Sequence, residues 1–333
     1  MSPVLGVCLV VFVLVLVILI AEQLLRSRRS RSVEGKHVVI TGGSSGIGRS
    51  VALLAAKNGA HVTIIARNTK KLEATRNELL MASKNRDTQK HEILSLDITV
   101  GYNAVEKALN DVERTMGPIY MLVNCAGTAI PGKVEDTTPD NLKWMMDLNF
   151  MGTFYCIKSV VPKMKSARDG IIVLTSSQAA LLGIFGYGGY CSSKFALRGL
   201  AESLAMELKP YNVFVTLSMP PDTDTPGFAV EELAKPVETK LISGSSGIIS
   251  PDTVANQLLE DALSGKFFST SGIDGFLLTT LCSGMSPVSS FAQLALEALL
   301  MGPFRLVAAC YLASFDRIIK SCMKNRDQNK KSE

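Results

Sequence analysis

Residues 37–59 read HVVITGGSSGIGRSVALLAAKNG, a short strand-like run, a glycine-rich turn and a helix-like run in immediate succession. HVVIT (37–41) is rich in β-branched residues, and GIGRSVALLAAKNG (46–59) carries apolar residues at helical spacing before a glycine stop. Glycines between a strand and a helix let the backbone approach a pyrophosphate, whose charge the helix N-terminus favours. The spacing is Gly-x-x-x-Gly-x-Gly, not the commoner Gly-x-Gly-x-x-Gly. We interpret it as a dinucleotide-binding turn with contacts at Gly42, Ser44, Ser45, Gly46, Ile47 and Gly48.

Strand-like and helix-like segments continue to alternate through the rest of residues 35–270. Further strand-like runs occupy 61–66, 91–98, 119–127, 170–176 and 212–218. Helix-like runs occupy 69–83, 103–117 and 194–209. Alternation of this kind, with strands that are apolar throughout, is typical of a parallel sheet covered by helices on both faces. The sequence therefore predicts a doubly wound, Rossmann-like α/β fold whose ligands bind at the carboxyl ends of the strands.

The second predicted strand ends in a cation where an NAD-specific site usually has Asp or Glu. Arg67 occupies that position, Lys71 follows it, and Arg49 comes directly after the glycine turn. Arginine pairs well with a phosphate, so we expect NADP(H) rather than NAD(H). A solvated surface position is the alternative for each cation. Asp97, at the end of the third predicted strand, is a candidate to hydrogen-bond the adenine or to cap a helix.

The composition argues against several classes of protein. Basic residues exceed acidic ones by only five and gather at the two ends, so a nucleic-acid partner is not expected. The seven cysteines are scattered without a Cys-x-x-Cys pair, which favours reduced thiols over a disulfide framework. With three histidines and no Cys/His cluster, we expect no metal site. A Ser-His-Asp hydrolase is also unfavourable, because no histidine accompanies a nucleophile elbow.

The N-terminal segment is apolar enough to be a membrane anchor. Residues 4–21 carry no charge, and a helix of this length reaches roughly 27 Å, about the thickness of a thin bilayer. Arg26, Arg28, Arg29 and Arg31 follow, so the positive-inside tendency leaves the rest of the chain in the cytosol. A cleaved signal peptide would have its positive charges before the apolar run. We expect an uncleaved anchor over 1–25 and a basic linker over 26–34.

The C-terminal region is also apolar. Residues 276–282 and 288–315 are rich in Leu, Ala and Met but are interrupted by charges and prolines. We expect the region 271–319 to contact the membrane at its interface; a membrane span, or amphipathic packing beside a substrate entrance, is the alternative. A basic tail over 320–333 suits an anionic leaflet, although a solvated terminus would look similar. Its cations are Lys320, Lys324, Arg326, Lys330 and Lys331.

Several motifs in the predicted core occur together and in order. They are TGGSSGIG (41–48), NCAG (124–127), LNFMG (148–152), LTSSQA (174–179) and YCSSK (190–194). In this combination residues 35–270 resemble the short-chain dehydrogenase/reductase family. The resemblance implies a catalytic set of Asn149, Ser177, Tyr190 and Lys194. Ser176 is a second candidate for the serine, but the family's usual interval before the tyrosine selects Ser177.

The resemblance also implies a role for each of these residues in reducing a ketone. Tyr190 would donate the proton, with its pKa lowered by the ammonium of Lys194 one helical turn away. Ser177 would hydrogen-bond the carbonyl oxygen, and Asn149 would position a water that relays protons to Lys194. Further cofactor contacts would be Ile98, Asn124, Ala126, Gly127, Tyr190, Lys194, Pro220, Thr223 and Thr225. The chain departs from the family's Pro-Gly at Pro221, and the sequence does not separate Thr223 from Thr225.

The more distal stretches are similar to the branch of this family that reduces long-chain ketosphingoid lipids. The stretches are PPDTDTPGF (220–228), ELKPYNVFVT (207–216), DGFLLTTLCSGMSP (274–287) and MGPFRLVAACYLASFDRII (301–319). This resemblance implies an NADPH-dependent enzyme of sphingolipid metabolism in the endoplasmic reticulum membrane, facing the cytosol, and a homo-oligomer as in the family. A membrane-bound steroid or retinoid reductase is the first alternative, and a catalytically silent NADP(H)-binding sensor the second.

Overall fold

The computed structural model describes residues 31–244 and 247–332, together with Val17. The predicted anchor, apart from Val17, and the predicted linker cations Arg26, Arg28 and Arg29 lie outside the described residues.

A seven-stranded parallel sheet forms the centre of the molecule, in the order β3-β2-β1-β4-β5-β6-β7. Its strands are β1 His37–Thr41, β2 His61–Ala66, β3 His91–Ser95, β4 Ile119–Asn124, β5 Gly170–Thr175, β6 Val213–Ser218 and β7 Phe268–Ser269. The strand order reverses between β1 and β4, and in sheets of this kind such a point marks the ligand-binding crevice.

Helices cover both faces of the sheet and continue beyond it. They are α1 Gly46–Lys57, α2 Thr69–Ala82, α3 Tyr102–Met116, α4 Pro139–Met146, α5 Thr153–Ala167, α6 Gly188–Leu208, α7 Pro226–Ala234, α8 Val237–Ser243, α9 Pro251–Leu263, α10 Gly272–Leu281 and α11 Phe291–Ser332. A π-helical turn, Asp147–Gly152, joins α4 to α5.

Each central strand contributes alternate side chains to two separate hydrophobic cores. On β4, Leu122 packs in the core under α3, α5 and α6, whereas Met121 and Val123 pack in the core under α1, α2 and α9. Ile172 and Ile171 divide in the same way on β5. Because both faces are buried, the strands are apolar throughout, and the prediction of a doubly wound parallel sheet is confirmed.

The observed ends of the strands and helices differ from the predicted ones mainly next to turns. The third strand ends at Ser95, not at Ile98, so Asp97 lies in the turn that follows it. Helix α6 begins at Gly188, which places Tyr190 and Lys194 on the same helix one turn apart. Ile98 is buried against the π-helical turn, where a Cβ on Gly152 would lie 2.7 Å from its side chain.

Helix α11 extends away from the sheet. Residues Phe291–Gln328 are long and apolar enough to cross a membrane, with a mean hydropathy of 1.6, and none of the most apolar stretch is buried. Among its neighbours are α10, against which Phe276 and Phe304 stack edge to face, and α8, where Arg326 pairs with the buried Glu238 at 2.5 Å. The helix runs unbroken past residue 319, where the basic tail was expected to begin. The predicted domain limits remain predictions.

Candidate active site

The glycine turn is packed so tightly that side chains do not fit in it. Gly42 has a φ of +68°, and a Cβ there would lie 2.8 Å from the backbone nitrogen of Ala126. A Cβ on Gly48 would lie 2.5 Å from the carbonyl oxygen of Gly42, and one on Gly46 would lie 2.9 Å from the methyl group of Thr225. Ser45 precedes α1 without a side-chain cap hydrogen bond. With Ser44 and Ile47, these residues form a backbone cradle at a helix N-terminus, which fits the pyrophosphate of a dinucleotide.

The cations predicted near the adenosine end have different partners. Arg67 is exposed, 3.8 Å from the carboxylate of Asp97, with its guanidinium over the ring of Trp144. Arg49 is instead tied to Glu78 of α2 at 2.6 Å, and this hydrogen bond raises its pKa. Lys71 is exposed in the first turn of α2. Of these three cations, Arg67 lies at the end of β2 and has a long, solvent-exposed ion pair.

Asp97 makes a turn of its own. Its Oδ1 accepts hydrogen bonds from the backbone N–H of Thr99 at 2.9 Å and from the Thr99 hydroxyl at 2.8 Å. Oδ2 faces Arg67. The bonds to Oδ1 close a turn ahead of α3, whose N-cap is Gly101, so the helix-capping interpretation of Asp97 is wrong. The adenine contact remains a prediction.

The loop after β4 is fastened to the neighbouring strands. Asn124 donates from Nδ2 to the carbonyl of Val173 at 3.1 Å, while its Oδ1 is buried without a hydrogen-bond partner among the described residues. The backbone N–H of Ala126 donates to the hydroxyl of Thr41 at 3.2 Å. Burial raises the pKa of the Cys125 thiol to about 11, so this cysteine stays protonated. A Cβ on Gly127 would lie 3.1 Å from Oδ1 of Asn149 and 3.4 Å from the ammonium of Lys194.

The predicted catalytic tyrosine, lysine and serine meet at the carboxyl end of the sheet. Lys194 Nζ donates to the carbonyl of Thr175 at 3.0 Å and lies 5.6 Å from the centre of the Tyr190 ring. Ser177 lies beside Tyr190 in the cavity, and its side chain acts to lower the pKa of the phenol. Ser177 also caps a short 3-10 turn, with its Oγ accepting from Ala179 N–H at 3.2 Å.

Ser176 points away from this group. It is buried, and its hydroxyl donates to the main-chain carbonyl of Lys194 at 3.1 Å. Both serines line the cavity, and they differ in the partner of the hydroxyl, which for Ser176 is the main-chain carbonyl of Lys194.

The electrostatics of the pair differ from the sequence-based expectation. Burial lowers the pKa of Lys194 to about 8. The pKa of Tyr190 is raised, not lowered, by burial and then by the charge of Glu231, and the Ser177 side chain offsets only part of this. Within the protein itself the expectation of a lowered tyrosine pKa is wrong, because burial and the charge of Glu231 raise it. Tyr190 is thus a neutral phenol at pH 7.

Asn149 is fully buried in the π-helical turn and braces two segments. Its Oδ1 accepts from Thr128 N–H at 2.8 Å, and its Nδ2 donates to Thr128 O and to the hydroxyl of Ser193, both at 2.9 Å. Both N–H groups of the amide are therefore occupied. Ser193, which the sequence analysis did not identify, is buried on α6 between Tyr190 and Lys194 and joins that helix to the loop after β4.

The loop after β6 separates the two threonines. Thr225 caps α7, accepting from Phe228 N–H at 3.1 Å, and its methyl group lies against Gly46 of the glycine turn. Thr223 is buried, and its hydroxyl donates to the carbonyl of Pro221 at 2.8 Å. Pro220 accepts from Gln178 N–H at 3.2 Å, which connects this loop to the serine segment.

A cavity of about 460 Å³ begins at this group and extends towards the C-terminal helices. Its inner end includes Gly127, Thr175, Ser177, Tyr190 and Lys194. Its outer wall is largely apolar and comes from α10 and α11, with Leu277, Leu278, Leu281, Ala308, Tyr311, Leu312 and Phe315. The alternative in which the C-terminal region packs beside the substrate entrance matches this arrangement.

The sequence analysis did not identify two further residues of the cavity wall. Tyr187 stacks on Tyr190 with ring centres 5.4 Å apart, and its hydroxyl donates to Glu231 of α7. The sequence signal for Tyr187 is an aromatic residue one helical turn before Cys191. Nothing in the sequence connects the more distant Glu231 to the site, because only the fold brings α7 to it.

Comparison with known proteins agrees with the fold. A family model described as short chain dehydrogenase matches residues 36–235. The chain belongs to this family and is an oxidoreductase that uses a nicotinamide cofactor.

Particular relatives are similar over almost the whole chain. The chain is 46% identical over 304 residues to a 3-dehydrosphinganine reductase of Danio rerio, covering 91% of each chain. It is 45% identical over 318 residues to a 3-ketodihydrosphingosine reductase of Bos taurus, covering 96% of this chain and 95% of the relative. Among solved structures, levodione reductase superposes with a TM-score of 0.65 at 22% identity, covering 75% of this chain and 99% of that one. The last comparison concerns the fold alone.

Proposed function

We propose that this chain reduces 3-ketodihydrosphingosine (3-dehydrosphinganine) to dihydrosphingosine (sphinganine) with NADPH, as a step of sphingolipid synthesis. The observation that carries the proposal is the cavity, which joins a Ser–Tyr–Lys group to a long apolar wall of α10 and α11. The substrate has the matching form, a ketone near one end of a long alkyl chain. The similarity to reductases named for this substrate extends through these C-terminal helices.

The side chains at the inner end of the cavity supply the proton. A bound nicotinamide cofactor supplies the hydride that the carbonyl carbon accepts. Tyr190 then donates its phenolic proton to the carbonyl oxygen, and its raised pKa ensures that the proton is present beforehand. Ser177 lies beside Tyr190 in the cavity and would stabilise the charge that builds on the oxygen. Ser176 is assigned no catalytic role, because its hydroxyl is directed to a main-chain carbonyl.

Lys194 and Asn149 support the proton transfer. With a pKa of about 8, the Lys194 ammonium is charged at neutral pH and can return a proton to the tyrosine. Asn149 holds the loop after β4 against α6, and the second lone pair of its Oδ1 remains for the proposed water. Lys194 would also hold the nicotinamide ribose, since it lies between Thr175 and the loop at Gly127.

The remaining cofactor contacts follow from the cradle and its surroundings. Arg67 would pair with the 2′-phosphate of NADPH, releasing its long ion pair with Asp97. Asn124 Oδ1 is a buried acceptor without a partner in the described part of the chain, and Thr225 lies against the glycine turn, so both fit a bound dinucleotide. We propose smaller contributions from Lys71, Asp97, Ile98, Ala126, Pro220 and Thr223.

The exposed apolar surface of α11 supports a position at the membrane. We propose that the enzyme lies on the endoplasmic reticulum with its catalytic domain in the cytosol, and that α11 contacts the bilayer. A lipid substrate would then reach the cavity past helices that themselves contact lipid. A homo-oligomer is proposed on the family resemblance alone.

The proposal is tested by offering the membrane fraction NADPH with the ketosphingoid base, a steroid ketone or retinal. Reduction of the sphingoid base is expected; consumption of the steroid or retinal without the sphingoid base would support the alternative enzyme. Tyr190→Phe should abolish turnover while NADPH binding remains, because the variant lacks only the transferable proton. Normal turnover in that variant would remove Tyr190 from the mechanism, and reduction of no carbonyl compound would favour a sensor.

A further inference from the structure

A group of charged side chains forms the part of the cavity wall next to Tyr187. Glu231 of α7 accepts a hydrogen bond from the Tyr187 hydroxyl, and both residues line the cavity. Asp222, from the loop after β6, lines the same wall. Tyr187 in turn stacks on Tyr190. Glu231 is therefore only one side chain removed from the proposed proton donor.

These carboxylates share a single cation. The Nζ atom of Lys235 lies 3.3 Å from Asp222, 3.2 Å from Glu231 and 3.0 Å from Glu232, and the Lys235 side chain is fully buried. Three carboxylates around one ammonium give this part of the wall a local excess of negative charge, while Lys194 and Arg305 line the cavity elsewhere. A positive group placed next to Glu231 and Asp222 would be attracted by that local charge.

The negative charge of this wall acts on the active site. Burial, followed by the charge of Glu231 and then by a smaller contribution from Asp222, raises the pKa of Tyr190. Burial also opposes the charged form of Lys235, but its three carboxylate neighbours hold its pKa above the ordinary value, so it remains charged. The negative wall and the reacting phenol are thus coupled through the same cavity.

We infer that Glu231, with Asp222 beside it, recognises the ammonium group that the substrate carries on the carbon next to its ketone. This inference rests on the proposed function and names the part of the substrate that selects it. When Tyr190 and Ser177 hold the carbonyl oxygen, the neighbouring carbon lies within the same end of the cavity. An ammonium there can donate to Glu231, which faces that space from α7. The apolar wall of α10 and α11 then receives the alkyl chain.

The experiment compares two ketones with the full-length protein in membranes and NADPH. One is 3-ketodihydrosphingosine; the other is its desamino analogue, with the same chain and hydroxyl but CH2 in place of the amino-bearing carbon. For the wild type we expect kcat/KM for the amino ketone to exceed that for the analogue by about 10- to 100-fold, the usual range for a charge-assisted hydrogen bond. Glu231→Gln should remove most of this preference by lowering kcat/KM for the amino ketone alone.

Glu232→Gln is the matched control. Glu232 is on the same helix, carries the same charge and contacts the same Lys235, but it does not line the cavity. We expect it to keep the preference for the amino ketone. Asp222→Asn is a second test variant and should reduce the preference in the same direction. Thermal stability and NADPH binding identify any variant that has not folded.

Three results would overturn the inference. The wild type could reduce both ketones equally well, the preference could survive in Glu231→Gln and Asp222→Asn, or Glu231→Gln could lower kcat/KM for both ketones to the same extent. The last result would mean that Glu231 only positions Tyr187 beneath Tyr190. In each case the ketosphingoid base is still reduced by the wild type, so the proposed function stands. A wild type that does not reduce the ketosphingoid base refutes the proposed function itself, and this inference with it.

Discussion

Lys194→Met should make the protein more stable while removing its activity. Burial lowers the pKa of this lysine from 10.5 to about 8, which corresponds to about 3 kcal/mol for keeping it charged in the folded state. Methionine has a similar length and does not carry that cost. It does remove the hydrogen bond to the Thr175 carbonyl, whose loss costs about 1–2 kcal/mol. The net gain at pH 7 is therefore about 1–2 kcal/mol.

The gain should depend on pH, and this dependence identifies its cause. Below pH 8 the ammonium is charged in both the folded and the unfolded protein, so the wild type bears the full cost. Between pH 8 and 10.5 the folded protein loses its proton first, and wild-type stability rises with pH. The advantage of the variant should therefore shrink across this window.

Thermal denaturation of purified protein without cofactor, from pH 7 to 10, measures the effect. We expect a melting temperature a few degrees above wild type at pH 7, at roughly 2–4 °C per kcal/mol, and a loss of at least about 100-fold in kcat. Lys107→Met, on the exposed side of α3, should change stability by less than about 0.5 kcal/mol. A Lys194→Met protein that is less stable at pH 7, or whose advantage does not change with pH, would refute the reasoning.

Three further predictions concern cofactor choice, cofactor binding and stability in acid. Arg67→Ala should lower the NADPH-over-NADH preference in kcat/KM by at least about 10-fold. Arg49→Ala, whose arginine is tied to Glu78, should lower it much less. An unchanged NADPH-to-NADH ratio of kcat/KM in Arg67→Ala would refute the 2′-phosphate contact. Gly48→Ala should abolish NADPH binding measured by fluorescence, since its Cβ would lie 2.5 Å from a backbone oxygen, whereas Gly199→Ala has open space and should bind normally. Burial lowers the pKa of His91 from 6.5 to about 4. The free energy of unfolding should therefore fall by up to about 3 kcal/mol as the pH falls through that window. If His91→Asn lost stability in acid in the same way as the wild type, this prediction would be contradicted.

The sheet could be predicted from the sequence because buried parallel strands are short, apolar and separated by turn residues. The strand β7 could not, since Phe268 and Ser269 are too few to form a pattern. Helices α4 and α5 were also missed. Their stretch contains Gly152 and Pro162, which usually interrupt helices, but here the glycine lies in a π-helical turn against Ile98 and the proline lies inside α5.

The candidate site was predictable where its residues lie close together along the chain. The glycine turn and the Tyr190–Lys194 pair each occupy one element, so spacing alone defines their geometry. The direction of the tyrosine pKa was not predictable, because spacing shows that Lys194 is near but not that both groups are buried. Glu231 was also missed, since it approaches Tyr190 only through the fold of α7.

The charges around Tyr190 favour donation of its proton only after the substrate has bound. A raised pKa keeps the proton on the phenol, which reduction requires, but it also makes the proton harder to give up. If Glu231 binds the substrate's ammonium, the new positive charge offsets the carboxylate that raises this pKa. The tyrosine would then become a better acid when an amino ketone occupies the cavity, whereas a neutral ketone would leave it unchanged. Selectivity for the amino group would then appear in kcat as well as in KM, because the same carboxylate acts on both the substrate and the proton donor.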